Sequence, residues 1–276
     1  MLRARVTTAL ILAPLALIVL FVLPPTGFAV AVGGIVLVAA WEWIRLCGGF
    51  QPLTRSVLLA LFAVCLGGAY SLPAILVPNV LILGLLFWLA TFFFVARYPI
   101  SRSRLGQKKT KLLFGLLVLI PAYVALLYLR RHPLGDVLIA LLVGVIWAAD
   151  VGAFFVGTRY GRSKLKPAVS PGKSWAGAVG GIGFALIVAI MAGVWEDSRL
   201  MMSPRAWLVL LVISALTVVF SILGDLFESV MKREQGVKDS SSLLPGHGGV
   251  LDRIDSLTAA APVFALLIHL TAWPIL

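Results

Sequence analysis

Charge is scarce in this chain. Asp, Glu, Lys and Arg make up 12% of its 276 residues, against roughly a quarter in soluble domains. Apolar residues make up 61% and mean hydropathy is +1.06. That balance excludes a soluble fold, which would have too little polar surface to cover its interior. Period-two alternation is also missing. The apolar stretches are long and unbroken, so the backbone must satisfy itself in helices rather than in a barrel. Cysteine is limited to Cys47 and Cys65, which fall in or beside apolar segments. A disulfide framework is excluded, and both read as packing residues. There are three histidines, and His247 has no His or Cys near it in sequence, which argues against zinc. No internal repeat and no low-complexity linker divides the chain. It reads as one integral membrane domain, 1–276, with N-terminal spans over 1–130 and a more polar C-terminal half over 131–276.

The expected fold is all-α, a polytopic bundle of about nine spans near 6–23, 27–44, 56–72, 76–96, 112–129, 134–156, 175–195, 206–228 and 257–275. Met1–Arg5 and the apolar run after it imitate a signal peptide. The run is long, however, and enters Pro24-Pro25 without a small-residue cleavage site, so it reads as a retained first span. Net charge is +12, and its distribution points to a bilayer rather than to nucleic acid. Nineteen of the 23 basic residues fall on the side of the N-terminus, in loops such as 97–111, 159–173 and 232–253; Arg130, Arg131, Arg199 and Arg205 fall on the other. This asymmetry places the N-terminus and the long polar loops in the cytoplasm. Positive-inside sorting accounts for the 97–111 loop, which would meet anionic headgroups. Trp41, Trp43, Trp88 and Trp147 need no role beyond packing or interfacial anchoring.

Acidic residues are scarcer still, 11 in all, and six of them (Asp225, Glu228, Glu234, Asp239, Asp252 and Asp255) lie within 31 residues. Asp225 and Glu228 share a face at the end of a helix read over about 206–233. Carboxylates at that depth are costly and face a partner or a cavity. Lys232-Arg233, Lys238-Asp239, Leu244-Pro245-Gly246-His247-Gly248-Gly249 and Asp252-Arg253-Ile254-Asp255 follow. Basic residues to neutralise a polyphosphate, carboxylates for a cation such as Mg²⁺, and glycines permitting close backbone approach are the parts of a nucleotidyl-transfer site. A solvated charged loop would explain any one pair, but not both signs interleaved with His-Gly-Gly.

The run from Ser229 to Asp255 resembles the signature of the phosphatidate cytidylyltransferases, the CDP-diacylglycerol synthases. Ser229, Met231, Lys232, Arg233, Lys238, Asp239, Ser241, Leu244, Pro245, His247, Gly248, Gly249, Val250, Asp252, Arg253, Ile254 and Asp255 fill its places at the right spacing. The likeness continues upstream through Asp150 and Ser170-Pro171-Gly172-Lys173-Ser174-Trp175. The first 100 residues resemble the family only as hydrophobic spans. Ser241 stands where many members have glycine, and Ala176 where many have glutamate.

The resemblance implies that the phosphate of phosphatidic acid attacks the α-phosphorus of CTP, releasing pyrophosphate, in an inner bacterial membrane. It points to Asp225 and Asp252 as Mg²⁺ ligands, on opposite sides of a loop that can fold back. It leaves open a second divalent ion and a monovalent cation, and suggests a homodimer. Taken alone, Asp225 would read as a helix-end ion pair and Asp252 as a local pair or cap. Asp239 and Asp255 are ligands or structural acceptors. Lys232, Arg233, Lys238 and Arg253 clamp phosphates or anchor at the membrane surface. His247 touches phosphate or holds its turn, and Gly248 and Gly249 allow a tight turn or close approach. Gly172-Lys173-Ser174 imitates a P-loop, but Pro167 stands where that motif needs glycine and the stretch joins two spans instead of following a strand. Ser170, Lys173 and Ser174 could still hold phosphate, from an irregular loop or from the start of the next span. Asp150, inside a span, is a functional candidate by cost or a polar contact across the bundle. The rivals are a CTP-dependent polyprenol kinase, an archaeal-lipid cytidylyltransferase, and an ion or phosphate transporter using Asp150 and Asp225. Crowding of the acids at one membrane face opposes the transporter.

Overall fold

The computed structural model describes residues 2–99 and 107–273. Helices dominate: α1 (Leu2–Leu17, continued by a π turn Ile18–Val22), α2 (Pro25–Cys47), α3 (Pro52–Tyr70), α4 (Val77–Ala96), α5 (Lys108–Arg131), α6 (Gly135–Tyr160), α7 (Trp175–Leu200), α8 (Pro204–Glu234) and α9 (Leu251–Thr271). Eight of them, α2 to α9, are long and apolar enough to cross a membrane, so the chain is a multi-pass membrane protein. The apolar part of the first helix is shorter, Leu10–Val22. Its two ends nevertheless reach opposite ends of the bundle. Thr8 Oγ1 donates to Pro245 O at 2.9 Å, and Arg130 Nη2 donates to Leu23 O at 2.9 Å. Of the basic 97–111 loop, residues 100–106 lie outside the described residues.

Two features differ from the sequence-based expectation. The last helix begins at Leu251 rather than 257, so Asp252-Arg253-Ile254-Asp255 forms its opening turns instead of a strip before it. An apolar window cannot see a turn made of charged residues. By contrast, α8 runs on to Glu234, as the helix read over about 206–233 anticipates, a length that exceeds a hydrocarbon core of about 30 Å at 1.5 Å per residue. Finally, the 159–173 stretch is no irregular loop: β1 (Lys164–Lys166) and β2 (Ser170–Ser174) pair as an antiparallel hairpin. The hairpin is hooked to the end of α4 by Lys166 Nζ on Ala96 O, 2.6 Å, and to α8 by Arg233 Nε on Val169 O, 3.4 Å.

Two packing motifs brace the site. Phe227 of α8 is buried among Trp43 of α2, Phe87 and Trp88 of α4, and Phe114 of α5, at centroid distances of 5.7–6.2 Å. These rings clamp the helix between Asp225 and Glu228 onto the N-terminal bundle. On the other flank, α6 and α7 meet backbone to backbone. A Cβ on Gly181 would lie 2.8 Å from Ala149 O, and one on Gly177 3.0 Å from Ala153 O. This is the small-residue contact by which membrane helices approach closely.

Candidate active site

The carboxylates of α6, α8 and α9 gather at one end of the bundle. Where α8 and α9 cross, a Cβ on Gly224 would meet Asp255 O at 2.5 Å. The closeness sets Asp225 beside the first turns of α9. Asp225 Oδ2 pairs with Lys173 Nζ at 2.6 Å, and Ser229 Oγ donates to Asp225 Oδ1 at 3.3 Å. Lys173 is delivered by β2, so the hairpin exists to this site as an arm that reaches α8. Asp150 of α6 lies in the field of Lys173, Asp225 and Arg253. Asp255 in turn feels Asp225 and Lys173 and contacts Glu228. Glu228 is buried, with Oε2 3.3 Å from Lys232 Nζ. Lys232 Nζ then holds Asp252 Oδ1 at 2.6 Å. Asp225 and Asp252 thus belong to one cluster of carboxylates and lysines across the α8–α9 contact.

The two aspartates are held differently. Asp225 is a third exposed, with one lysine and one serine on it. Asp252 is 5% exposed, and its Oδ2 accepts from Ser240 N (2.9 Å), Ser240 Oγ (2.9 Å) and Gly249 N (2.7 Å). Asp252 therefore pins the signature loop to the start of α9, with Oδ1 on the lysine. The glycines of His-Gly-Gly are explained by this arrangement. Gly248 has φ +82, where L side chains are strained, and a Cβ there would lie 2.6 Å from Asp252 Oδ2. The turn before it closes by Leu244 N on Gly248 O, 2.8 Å, and His247 N on Leu244 O, 2.9 Å.

Two cavities flank the cluster. One, of about 460 Å³, lies between α6, α7 and the hairpin and is lined by Asp150, Phe154, Thr158, Lys164, Lys173, Ser221 and Ser256 among others. The other, of about 580 Å³, lies in the signature loop and is lined by Lys238, Asp239, Ser241, His247, Gly248 and Arg253 among others. Arg253 borders the second and acts on Asp150, which lines the first. His247 Nδ1 is buried without a hydrogen-bond partner.

Several residues expected at the site have structural partners within the fold. Ser174 is buried and caps α7, accepting from Gly177 N at 3.1 Å. Gly172, Lys173 and Ser174 lie within β2, so they form no P-loop, although a short strand does precede them. Ser170 sits in the hairpin register opposite Lys166. Arg233 is spent on Val169 O and Val237 O. Sequence reasoning missed Glu42, Ser240 and the cavity-lining Ser221 and Ser256. Glu42 carries the signal that singled out Asp150, a lone carboxylate within an apolar span.

The donor set suits Mg²⁺, which takes one or two carboxylates together with phosphate oxygens and water. Asp225 has lone pairs to spare, and Asp252 can offer Oδ1. Among the described residues no three His, Cys, Asp or Glu side chains form a closed metal cage.

Comparisons with known proteins place the sequence in a family. The sequence profile of the Cytidylyltransferase family matches residues 3–271. The chain is 45% identical over 273 residues to a phosphatidate cytidylyltransferase of Pseudomonas aeruginosa, covering 99% of both chains. It is 38% identical over 282 residues to one of Haemophilus influenzae, covering 96% of this chain and 98% of that one. A Bacillus subtilis protein of the same name is 44% identical over 126 residues, 46% of this chain. With end-to-end likeness added to a carboxylate and lysine cluster built from its most polar segment, the chain belongs to the cytidylyltransferase family.

Proposed function

We propose that this enzyme is a phosphatidate cytidylyltransferase, transferring CMP from CTP to phosphatidic acid to give CDP-diacylglycerol and pyrophosphate at the cytoplasmic face of the membrane. The observation that carries this reading is the gathering of Asp225, Glu228, Asp252 and Asp255 with Lys173 and Lys232 at one end of the bundle, flanked by two cavities.

The cavity between α6 and α7 lies among membrane-spanning helices, with Phe154 and Ile222 beside Lys173 and Lys164. That mixture suits a lipid phosphate entering from the bilayer. The loop cavity, with Lys238, Arg253 and His247, suits the nucleotide's triphosphate, whose charge needs cationic donors. The lipid phosphate is the nucleophile. With a second pKa of about 6 it is largely dianionic at neutral pH, and no protein base is needed to activate it. Its oxygen bonds to the α-phosphorus as the bond to the bridging oxygen of pyrophosphate breaks. The protein's task is therefore alignment and charge neutralisation. Lys173, poised on Asp225, steadies the lipid phosphate. Arg253, at the border of both cavities, faces the reacting phosphates. Asp225 and Asp252 Oδ1 would hold Mg²⁺, which would supply further neutralisation of the phosphate oxygens.

Asp225→Asn and Asp252→Asn, assayed with radiolabelled CTP and phosphatidic acid, are each expected to lower turnover by at least about 100-fold, the scale of losing one group that stabilises developing charge. Wild-type turnover in both would remove the assignment. In the intact enzyme the labelled products are to be a CDP-lipid and pyrophosphate. Release of CDP with a phosphorylated alcohol would make it a kinase instead.

A further inference from the structure

We propose that Glu42, in the N-terminal half, is a positioning residue for the transfer reaction, holding the signature loop and the first turn of α9 so that Asp252 meets the site. This rests on the reading of Asp252 given above.

Glu42 is fully buried near the end of α2, where a carboxylate is retained only if its oxygens are satisfied. All of its hydrogen-bond partners come from residues about 200 positions later. Oε1 accepts from Ser241 Oγ at 2.5 Å and Val250 N at 3.0 Å, and Oε2 accepts from Leu251 N at 2.7 Å and lies 3.1 Å from Ser240 Oγ. Val250 and Leu251 open α9, whose N-cap position holds a valine and makes no side-chain cap. The orphan amides of that helix start are capped in trans by Glu42, with a negative group at the positive end of the helix.

The capping carboxylate is one atom removed from Asp252. Ser240 Oγ lies within hydrogen-bond distance of both Glu42 Oε2 and Asp252 Oδ2, and Ser240 N also binds Asp252. One buried serine thus fixes the spacing of the two carboxylates, and Lys232 closes the set from α8. Gly249 completes the fit. A Cβ there would collide with Ser240 Oγ and with both Glu42 oxygens, so the second glycine of His-Gly-Gly leaves the room that Glu42 occupies. Ser241, in a place where a glycine would offer no hydroxyl, adds a bond to the same carboxylate.

The test uses the full chain in detergent with lipid. Glu42→Gln keeps the volume but turns one acceptor into a donor facing donors. It is expected to cut kcat by about 100-fold, the loss that a displacement of about 1 Å produces, with KM for CTP and for phosphatidic acid each within threefold of wild type. Size-exclusion profile and folded yield should match wild type, and rates are taken per folded molecule. Glu42→Gln combined with Gly249→Ala should be no slower than the slower single variant, since both disturb one contact. A role confined to stability predicts wild-type kcat per folded molecule, and that result overturns the proposal. Should Glu42→Gln not fold, Ser240→Ala, which leaves both backbone caps in place, must show the same fall in kcat; wild-type kcat in that variant overturns it equally. Asp252→Asn is run alongside. If it is fully active, the reading of the site fails. If it is inactive while Glu42→Gln matches wild type, only the role of Glu42 fails.

Discussion

Asp225 and Asp252 are the same side chain put to different uses, and the difference is measurable. Replacing a carboxylate by an amide removes one acceptor and adds a donor. At Asp252 that donor would face Lys232 or the cluster of Ser240 N, Ser240 Oγ and Gly249 N. An unsatisfied buried polar group costs about 1–3 kcal/mol, so Asp252→Asn should lower thermal stability as well as turnover. At Asp225 the lost partner is a partly exposed lysine, a pair worth about 0–1 kcal/mol. Asp225→Asn should therefore melt close to wild type while inactive. Thermal unfolding in detergent, followed by loss of the monodisperse peak, separates the two. Equal melting temperatures would show that the hydrogen bonds to Asp252 contribute nothing to the fold. Both aspartates were legible as members of the polar cluster because they stand in a charged segment of a chain otherwise poor in acid. That one of them also fastens the loop was not legible, because its donors are backbone amides, which no side-chain pattern reports. Glu42 escaped notice for a related reason. Its partners are some 200 residues distant, and nothing near Trp41 or Trp43 announces them.

At the scale of elements, apolar windows place helices well where lipid sets the rule, and poorly where a helix leaves it. The body of every span was readable, yet the start of α9 was hidden by Asp252, Arg253 and Asp255, and the hairpin by its lysines. Both are held by long-range contacts: Glu42 caps α9, and Lys166 and Arg233 anchor the hairpin. The α6–α7 contact was equally silent, since glycines within spans do not declare their neighbours. Gly181 both lines the cavity and lies against Ala149 O. Gly181→Leu would have to part the two helices. Overpacking of this kind costs about 1–3 kcal/mol, and the expected result is a lower melting temperature together with a KM for phosphatidic acid raised more than that for CTP. An unchanged KM for the lipid would mean that this cavity does not receive it.

For the molecule as a whole, the remaining question is which face of the membrane the site addresses, and the bundle supplies a constraint that counting charges does not. Thr8 touches Pro245 in the signature loop, whereas Leu23 touches Arg130 at the far end of α5. The first helix therefore runs the full distance between the two ends, and the start of the chain and the signature loop share a side whatever the absolute orientation. The positive-inside rule then predicts the cytoplasm for that side, because nineteen of the 23 basic residues collect there. A water-soluble nucleotide made in the cytoplasm requires the same choice. The test replaces Cys47 and Cys65 by alanine and introduces Leu243→Cys or Met201→Cys, at positions 50% and 90% exposed toward opposite ends. A membrane-impermeant maleimide added to intact spheroplasts should label Met201→Cys directly and Leu243→Cys only after permeabilisation. The reverse pattern would place the carboxylate cluster outside the cell, away from CTP, and no arrangement of Asp225 and Asp252 could then support cytidylyl transfer.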